Sequence, residues 1–244
     1  MPNRQPNACL ICGAPLVYFT EERTLTCASC GKPFSANAAC EHGHFICDQC
    51  HGSAGRVAVR LHCLEQSSSD PVEIALSLMA LPAIHMHGPE HHTLVGAALL
   101  TAYRNAGGEI VLEQMLRALE QRSQKVPGGT CGFWGCCGAA VSAGIFLSLV
   151  TGSTPLSGES FGLCNRLTAA CLQAIGEAGG PRCCKRNSFL ALTTAVPFVK
   201  EHLGVSMTLP EQVVCTYPGQ NGECLGRRCP FHPAADRPWQ PERL

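Results

Sequence analysis

Eighteen cysteines and ten histidines lie in this chain of 244 residues, and their spacing sorts them into distinct chemistries. Cys9-x2-Cys12 and Cys27-x2-Cys30 are knuckles, each presenting two thiolates from one tight turn. Val17, Tyr18, Thr20, Thr24 and Thr26 between them favour a hairpin. The spacing therefore predicts a zinc ribbon in which these two knuckles complete one tetrahedral site. Cys40, His42, His44, Cys47 and Cys50 supply a second zinc set, with Cys47-x2-Cys50 as its knuckle and Cys40 plus one of the two histidines closing it. Both sets have a full ligand count, which favours a structural or partner-docking module over catalysis.

A different chemistry is written between Gly128 and Gly138, where Cys131, Cys136 and Cys137 sit among glycines that leave backbone N–H groups free. Such turns suit the negative charge of an iron–sulfur cluster. Cys183-Cys184 precede Lys185-Arg186 at the start of a helix, where the helix N-terminus and two cations favour thiolates. If the two turns meet, Cys131, Cys136, Cys137, Cys183 and Cys184 supply the ligands of one 4Fe-4S cluster. The competing reading, small buried residues, applies to all five and more strongly to Cys164 and Cys171 on an apolar helix.

His85-Met86-His87-Gly88-Pro89-Glu90-His91-His92 places four imidazoles and a carboxylate at the start of a helix. The run could bind a metal, carry protons or hold a substrate carboxylate; His87, Glu90 and His91 are the candidate acid/base or binding groups, with a polar helix cap as the plainer reading. Arg104-Asn105 and Arg186-Asn187 sit at helix termini and are weaker signals. Cys215-x8-Cys224-x4-Cys229 forms a last group, either a separate metal site or a loop that folds back over the central turn.

The elements that position these groups divide the chain into a metal module over 1–66, a helical body over 67–208 and a cysteine-containing tail over 209–244. Fold class is mainly α, with a β-hairpin in the module and few or no strands beyond it. Asp70-Pro71-Val72-Glu73 combines an N-cap, a first-turn proline and a reciprocal acid, so a helix starts near Pro71 and stops before Pro82. Further helices are expected from Glu90 to Asn105, Glu109 to Gln124, Cys136 to Val150, Phe161 to Ala178 and Asn187 to His202, with Gly107-Gly108, Gly179-Gly180 and Gly204 as stops. The small residues of 136–150 predict a buried helix in close contact with its neighbours.

Hydrophobic residues make up 45% of the chain, enough for one core of ordinary size. Eighteen Lys+Arg balance 18 Asp+Glu, and residues 1–66 carry five of each, so no basic face holds nucleic acid. The longest apolar run, 139–150, is about half the ~20 residues of a membrane span. The polar lead of residues 1–7 lacks the apolar stretch of a secretory signal. A cytoplasmic protein with reduced thiols and a small-molecule substrate is the expectation.

The chain resembles an uncharacterised family of cysteine-rich prokaryotic proteins of unknown function. The resemblance rests on the run Cys40 to His51, on His87-Gly88-Pro89-Glu90-His91-His92, on the Cys131 to Gly138 turn and on Cys183-Cys184-Lys185-Arg186. Gly135-Cys136-Cys137-Gly138, leading into an Ala/Gly-rich helix, also resembles a cluster turn of the iron–sulfur L-serine dehydratases and cysteine desulfidases. That likeness implies lyase chemistry at a cluster iron lacking a protein ligand. The order Cys27, Cys30, Cys40, His44, Cys47, Cys50 resembles the front of a RING finger, with adjacent His62-Cys63 in place of a spaced last pair.

Overall fold

The computed structural model describes residues 9–240, so the polar lead lies outside the described residues. Strand β1 (Leu16–Thr26) pairs antiparallel with β2 (Pro33–Cys40). The hairpin reverses at the second knuckle, between Thr26 and Pro33, and not between the knuckles as the threonines suggested. The β-formers of 17–26 instead make one long strand, bulged between Tyr18 and Arg23. Leu16 opposite Cys40 marks one end of the ladder, and Thr26 opposite Pro33 marks the other. Each knuckle therefore flanks a different end.

The second half of the module is helical, beyond the hairpin expected there. Helix α1 (Asp48–Glu65) starts at the last knuckle and carries fully buried Val59 and Cys63 into the apolar core. Helix α2 (Pro71–Met79) starts as predicted: the Asp70 carboxylate accepts the N–H groups of Val72 and Glu73 at 2.8 and 3.2 Å. The reciprocal arm of that cap runs through Ser68, which accepts the Asp70 N–H and donates to Glu73. The remaining helices are α3 (His91–Asn105), α4 (Leu112–Ser123), the short α5 (Thr130–Phe133), α6 (Gly138–Val150), α7 (Glu159–Ala178) and α8 (Cys184–Leu203). Helix α4 begins later than expected and α8 earlier; α5 was not foreseen. Among the described residues, no strand follows β2.

Helices α3 and α6 form the centre, with Leu94, Leu99, Leu100, Phe146 and Leu147 fully buried. Their close approach is fixed by Gly96, whose N–H donates to Ser142 Oγ at 2.8 Å and whose missing Cβ would lie 3.0 Å from the Ser142 carbonyl oxygen. The expectation of a small-residue α6 buried against its neighbours holds. Arg104 and Asn105 donate to the carbonyl oxygen of Gln66, tying the α1–α2 link to the end of α3. The tail folds back over α8: Phe231 packs edge-on against Phe189, and Trp239 follows it.

Candidate metal centres and the adjoining cleft

Because the knuckles flank opposite ends of the ladder, each meets a different part of the chain that returns after β2. Cys9, Cys12, Cys40 and His44 gather with ligand atoms within 4.8 Å of one another, and Cys27, Cys30, Cys47 and Cys50 form a second such group. This corrects the expected pairing of the first two knuckles. The cause is the hairpin register, which brings Cys40 back beside the first knuckle and bridges Cys27 to Phe45 beside the second. His44 completes the first group, whereas His42 approaches Cys12 alone, at 3.5 Å. His62 and Cys63 take no part: His62 Nε2 faces Ser77 Oγ at 2.9 Å and Cys63 is in the core. The RING-like order is thus completed at its front by Cys9 and Cys12.

Both groups are prepared for anionic sulfur. Backbone N–H groups of Ile11, His44 and Cys47 donate to the sulfurs of Cys9, Cys40 and Cys27. Burial works against ionisation of Cys27, but N–H donors from Cys47, Cys30 and Ser29 outweigh it and bring this thiol down to about 6. Each group can hold a metal ion such as zinc.

A third group joins the module to the body. Glu90 is fully buried just ahead of α3, a position that costs several kcal/mol for an unpaired carboxylate. Its Oε1 accepts the His85 N–H at 2.8 Å and lies 3.2 Å from His85 Nδ1, while Oε2 lies 3.6 Å from Nδ1 of His51 on the first turn of α1. Burial would raise Glu90; the imidazoles of His51 and His85 beside it and the neighbouring His91 outweigh it and hold the carboxyl well below its usual range. His51, His85 and Glu90 offer three ligand atoms within 4.8 Å of one another. Buried His51 Nδ1 and Glu90 Oε2 have no hydrogen-bond partner among the described residues, so a cation between them would satisfy both.

His87 and His91, the other predicted catalytic groups, are buried and differ in setting. His87 is lowered to about 4, first by burial and then by Arg182, and its Nε2 lies 3.2 Å from Asn221 Oδ1 and 3.1 Å from Glu223. His91 is lowered to about 3 by burial, with its Nδ1 3.2 Å from the Gly88 carbonyl oxygen. His92 faces the Val126 carbonyl oxygen and fills the space a Cβ on Gly138 would need.

A cleft of about 750 Å³ separates the module from the body, within the usual range for small-ligand sites. His51, His85, His87, Cys131, Arg182 and Cys184 line it. Besides the His51 contacts, Asp48 spans it by accepting the Gly128 N–H at 2.6 Å, and the Arg182 guanidinium lies 5.2 Å from the Tyr18 ring centre.

The five central cysteines are divided between sites. Cys131 and Cys184 line the cleft; Cys183 lines a separate cavity beneath the tail; Cys137 accepts from Asn187 at 3.4 Å. Cys136 belongs to neither lining. The expected lowering of the Cys183 and Cys184 thiols is reversed. Burial raises both, Cys184 to about 12, and outweighs the N–H donors, Arg186 and Lys185 on Cys183 and Gly88 on Cys184, and the nearby cations Arg186 and Arg182. Cys171 faces the core, with Sγ directed at the Ala191 carbonyl oxygen. Sequence reasoning missed His51, Arg182 and Asn221. The signal for His51 was its place directly after Cys50 and before Gly52 and Gly55, where only glycine lets the Glu90 loop approach.

Fold and site together define a mainly α, cysteine-rich protein with a small two-stranded module and paired metal-type clusters. The chain belongs to the family of unknown function DUF5714, whose sequence model matches residues 59–232. That span includes Glu90, Cys183 and the tail cysteines, and begins within α1 after His51. No curated protein and no solved structure matches the chain, and the likeness to L-serine dehydratases gains no support. Among the described residues, no helix is long and apolar enough to cross a membrane.

Proposed function

We propose that this protein is a metal-dependent enzyme acting on a small sulfur- or hydroxyl-bearing substrate in the cleft between module and body. The observation that carries the reading is the His51–His85–Glu90 group, whose two histidines line that cleft while Glu90 is buried. Two imidazoles and one carboxylate suit a divalent transition metal, and three protein ligands leave positions for substrate, unlike the two closed groups of the module. A metal ion bound there supplies Lewis-acid polarisation. Arg182 binds an acidic group of the substrate, and His87, neutral at pH 7 with its Nε2 facing the acceptors Asn221 Oδ1 and Glu223, accepts or returns a proton at Nδ1. His91 positions Glu90 without reaching the cleft. Zinc is our assignment for the module, and a reducing cytoplasm suits its free thiols.

Metal analysis of the purified chain tests this. Three divalent ions per chain are expected in the wild type, falling to two in His85→Ala with the module ions retained. Metal content unchanged by His85→Ala overturns the reading. The same preparations are then offered small thiols and hydroxy acids, with release of sulfide, ammonia or water-elimination product as the readout. Full retention of the third ion with no turnover favours the alternative, a metal-binding adaptor or carrier docking partners through the module.

A further inference from the structure

Beneath the C-terminal tail lies a small cavity of about 20 Å³ lined by Cys183, Cys215, Cys224 and Cys229, which the chain brings together from the start of α8 and from three turns of the tail. Each sulfur accepts a backbone N–H. Arg186 donates to Cys183, Tyr217 to Cys215 and Gly226 to Cys224, each at 3.4 Å, and Phe231 donates to Cys229. Cys183 also accepts from Asn221 Nδ2 at 3.4 Å and caps a 20-residue helix, so its sulfur sits at a positive helix end. The three tail cysteines share one turn, in which the N–H two residues on points at the sulfur. This is the pattern expected where thiolates carry a large negative group.

The spacing of the sulfurs distinguishes between occupants. Tetrahedral zinc at about 2.3 Å from each thiolate brings sulfurs to about 3.8 Å of one another. Among the described residues the module groups approach that packing, whereas no three of these four sulfurs lie within 4.8 Å of each other. They are nevertheless neighbours, since all four line the one small cavity. A cubic cluster spaces its four ligand sulfurs at about 6 Å, each about 4 Å from a common centre.

We propose that Cys183, Cys215, Cys224 and Cys229 bind a [4Fe–4S] cluster, one thiolate to each iron. Each thiol releases its proton to solvent as its iron–sulfur bond forms. With every iron ligated by cysteine, the cluster serves electron transfer or structure and not substrate binding. Its place is one residue from the cleft. Cys183 is extended (φ −148°, ψ 105°), so its side chain and that of Cys184 diverge, one to the cavity and one to the cleft. Asn221 spans the same wall, with Nδ2 on Cys183 and Oδ1 facing His87. The doubled cysteine is thereby accounted for.

This goes beyond the cleft reading and is tested separately from it, because the readout is iron and sulfide and not turnover. The full chain is purified without oxygen and reconstituted with ferric iron, sulfide and a thiol that reduces part of the iron, as wild type, Cys224→Ser, Cys229→Ala, Cys131→Ala and Cys136→Ala. About four iron and four acid-labile sulfide per chain are expected in the wild type. Both fall at least five-fold in Cys224→Ser and Cys229→Ala and stay unchanged in Cys131→Ala and Cys136→Ala, with helicity by circular dichroism reporting folding. Zinc without sulfide in the wild type overturns the proposal. A cluster kept in Cys229→Ala and lost in Cys136→Ala also does. If the tail variants do not fold, iron-edge X-ray absorption of the wild type decides: short iron–iron scattering supports the cluster, and its absence overturns it.

Discussion

Glu90 has no access to water, yet the three imidazole groups nearest to it and one backbone N–H keep it ionised. Removing a buried acceptor is worse than changing its charge, because the donors it leaves behind stay desolvated. In the metal-free protein, Glu90→Ala is expected to cost about 3 kcal/mol and Glu90→Gln about half of that, since Gln still accepts the His85 N–H. Urea midpoints at constant slope measure both; a smaller loss for Ala than for Gln contradicts the account. The density of imidazoles in 85–92 made Glu90, His87 and His91 legible from sequence. Their division of labour was not, because burial, which no spacing reveals, turns His87 toward the cleft wall and His91 into the core. The reversed thiol shifts at Cys183 and Cys184 have the same origin: sequence showed the cations and the helix start, but not the desolvation that outweighs them.

Helix α1 is the element that turns a separate module into part of a site. Its first turn carries a knuckle cysteine and His51, and its middle runs so close to the Glu90 loop that a Cβ on Gly55 would lie 2.9 Å from both the Ala83 carbonyl oxygen and Glu90 Cβ. Gly55→Ala is therefore expected to push α1 outward and destabilise by about 1–3 kcal/mol despite the helix propensity gained. Gly162→Ala in α7 meets nothing within 4 Å and should stabilise by about 0.5–1 kcal/mol. Paired thermal melts separate the two, and equal shifts would show that the close approach at Gly55 is not a constraint. Most helices of the body were legible, since apolar periodicity and Gly/Pro punctuation are local. Helix α1 was not, because its cysteines and glycines imitate a loop. The pairing of knuckles was hidden as well, since it depends on which turn closes the hairpin, and β-forming residues at 17–26 fit either a hairpin or one long strand.

Across the whole molecule, three chain reversals make the sites: the hairpin sets the module groups, α1 carries His51 to Glu90, and the tail returns Cys215, Cys224 and Cys229 to Cys183. These are long-range meetings, so sequence supplied the cysteines and left their partners open. They also predict unequal stability. The module has a small apolar core, with Cys9, Ala14 and Cys40 as its buried cluster, and most of β1 is exposed, whereas α3, α6 and α8 share an extensive core. Without metal the module has little to offset the entropy of ordering its chain. Stripping metal with a strong chelator should therefore raise hydrogen exchange sharply over residues 9–50 and the first turn of α1, by at least ten-fold, while α3 and α6 keep their protection. His51 would then leave Glu90, and any ion held there would be lost from chain that is otherwise folded. Exchange that rises equally in α3 and α6 would mean that module and body unfold as one unit, and would reject the division of stability argued from their cores.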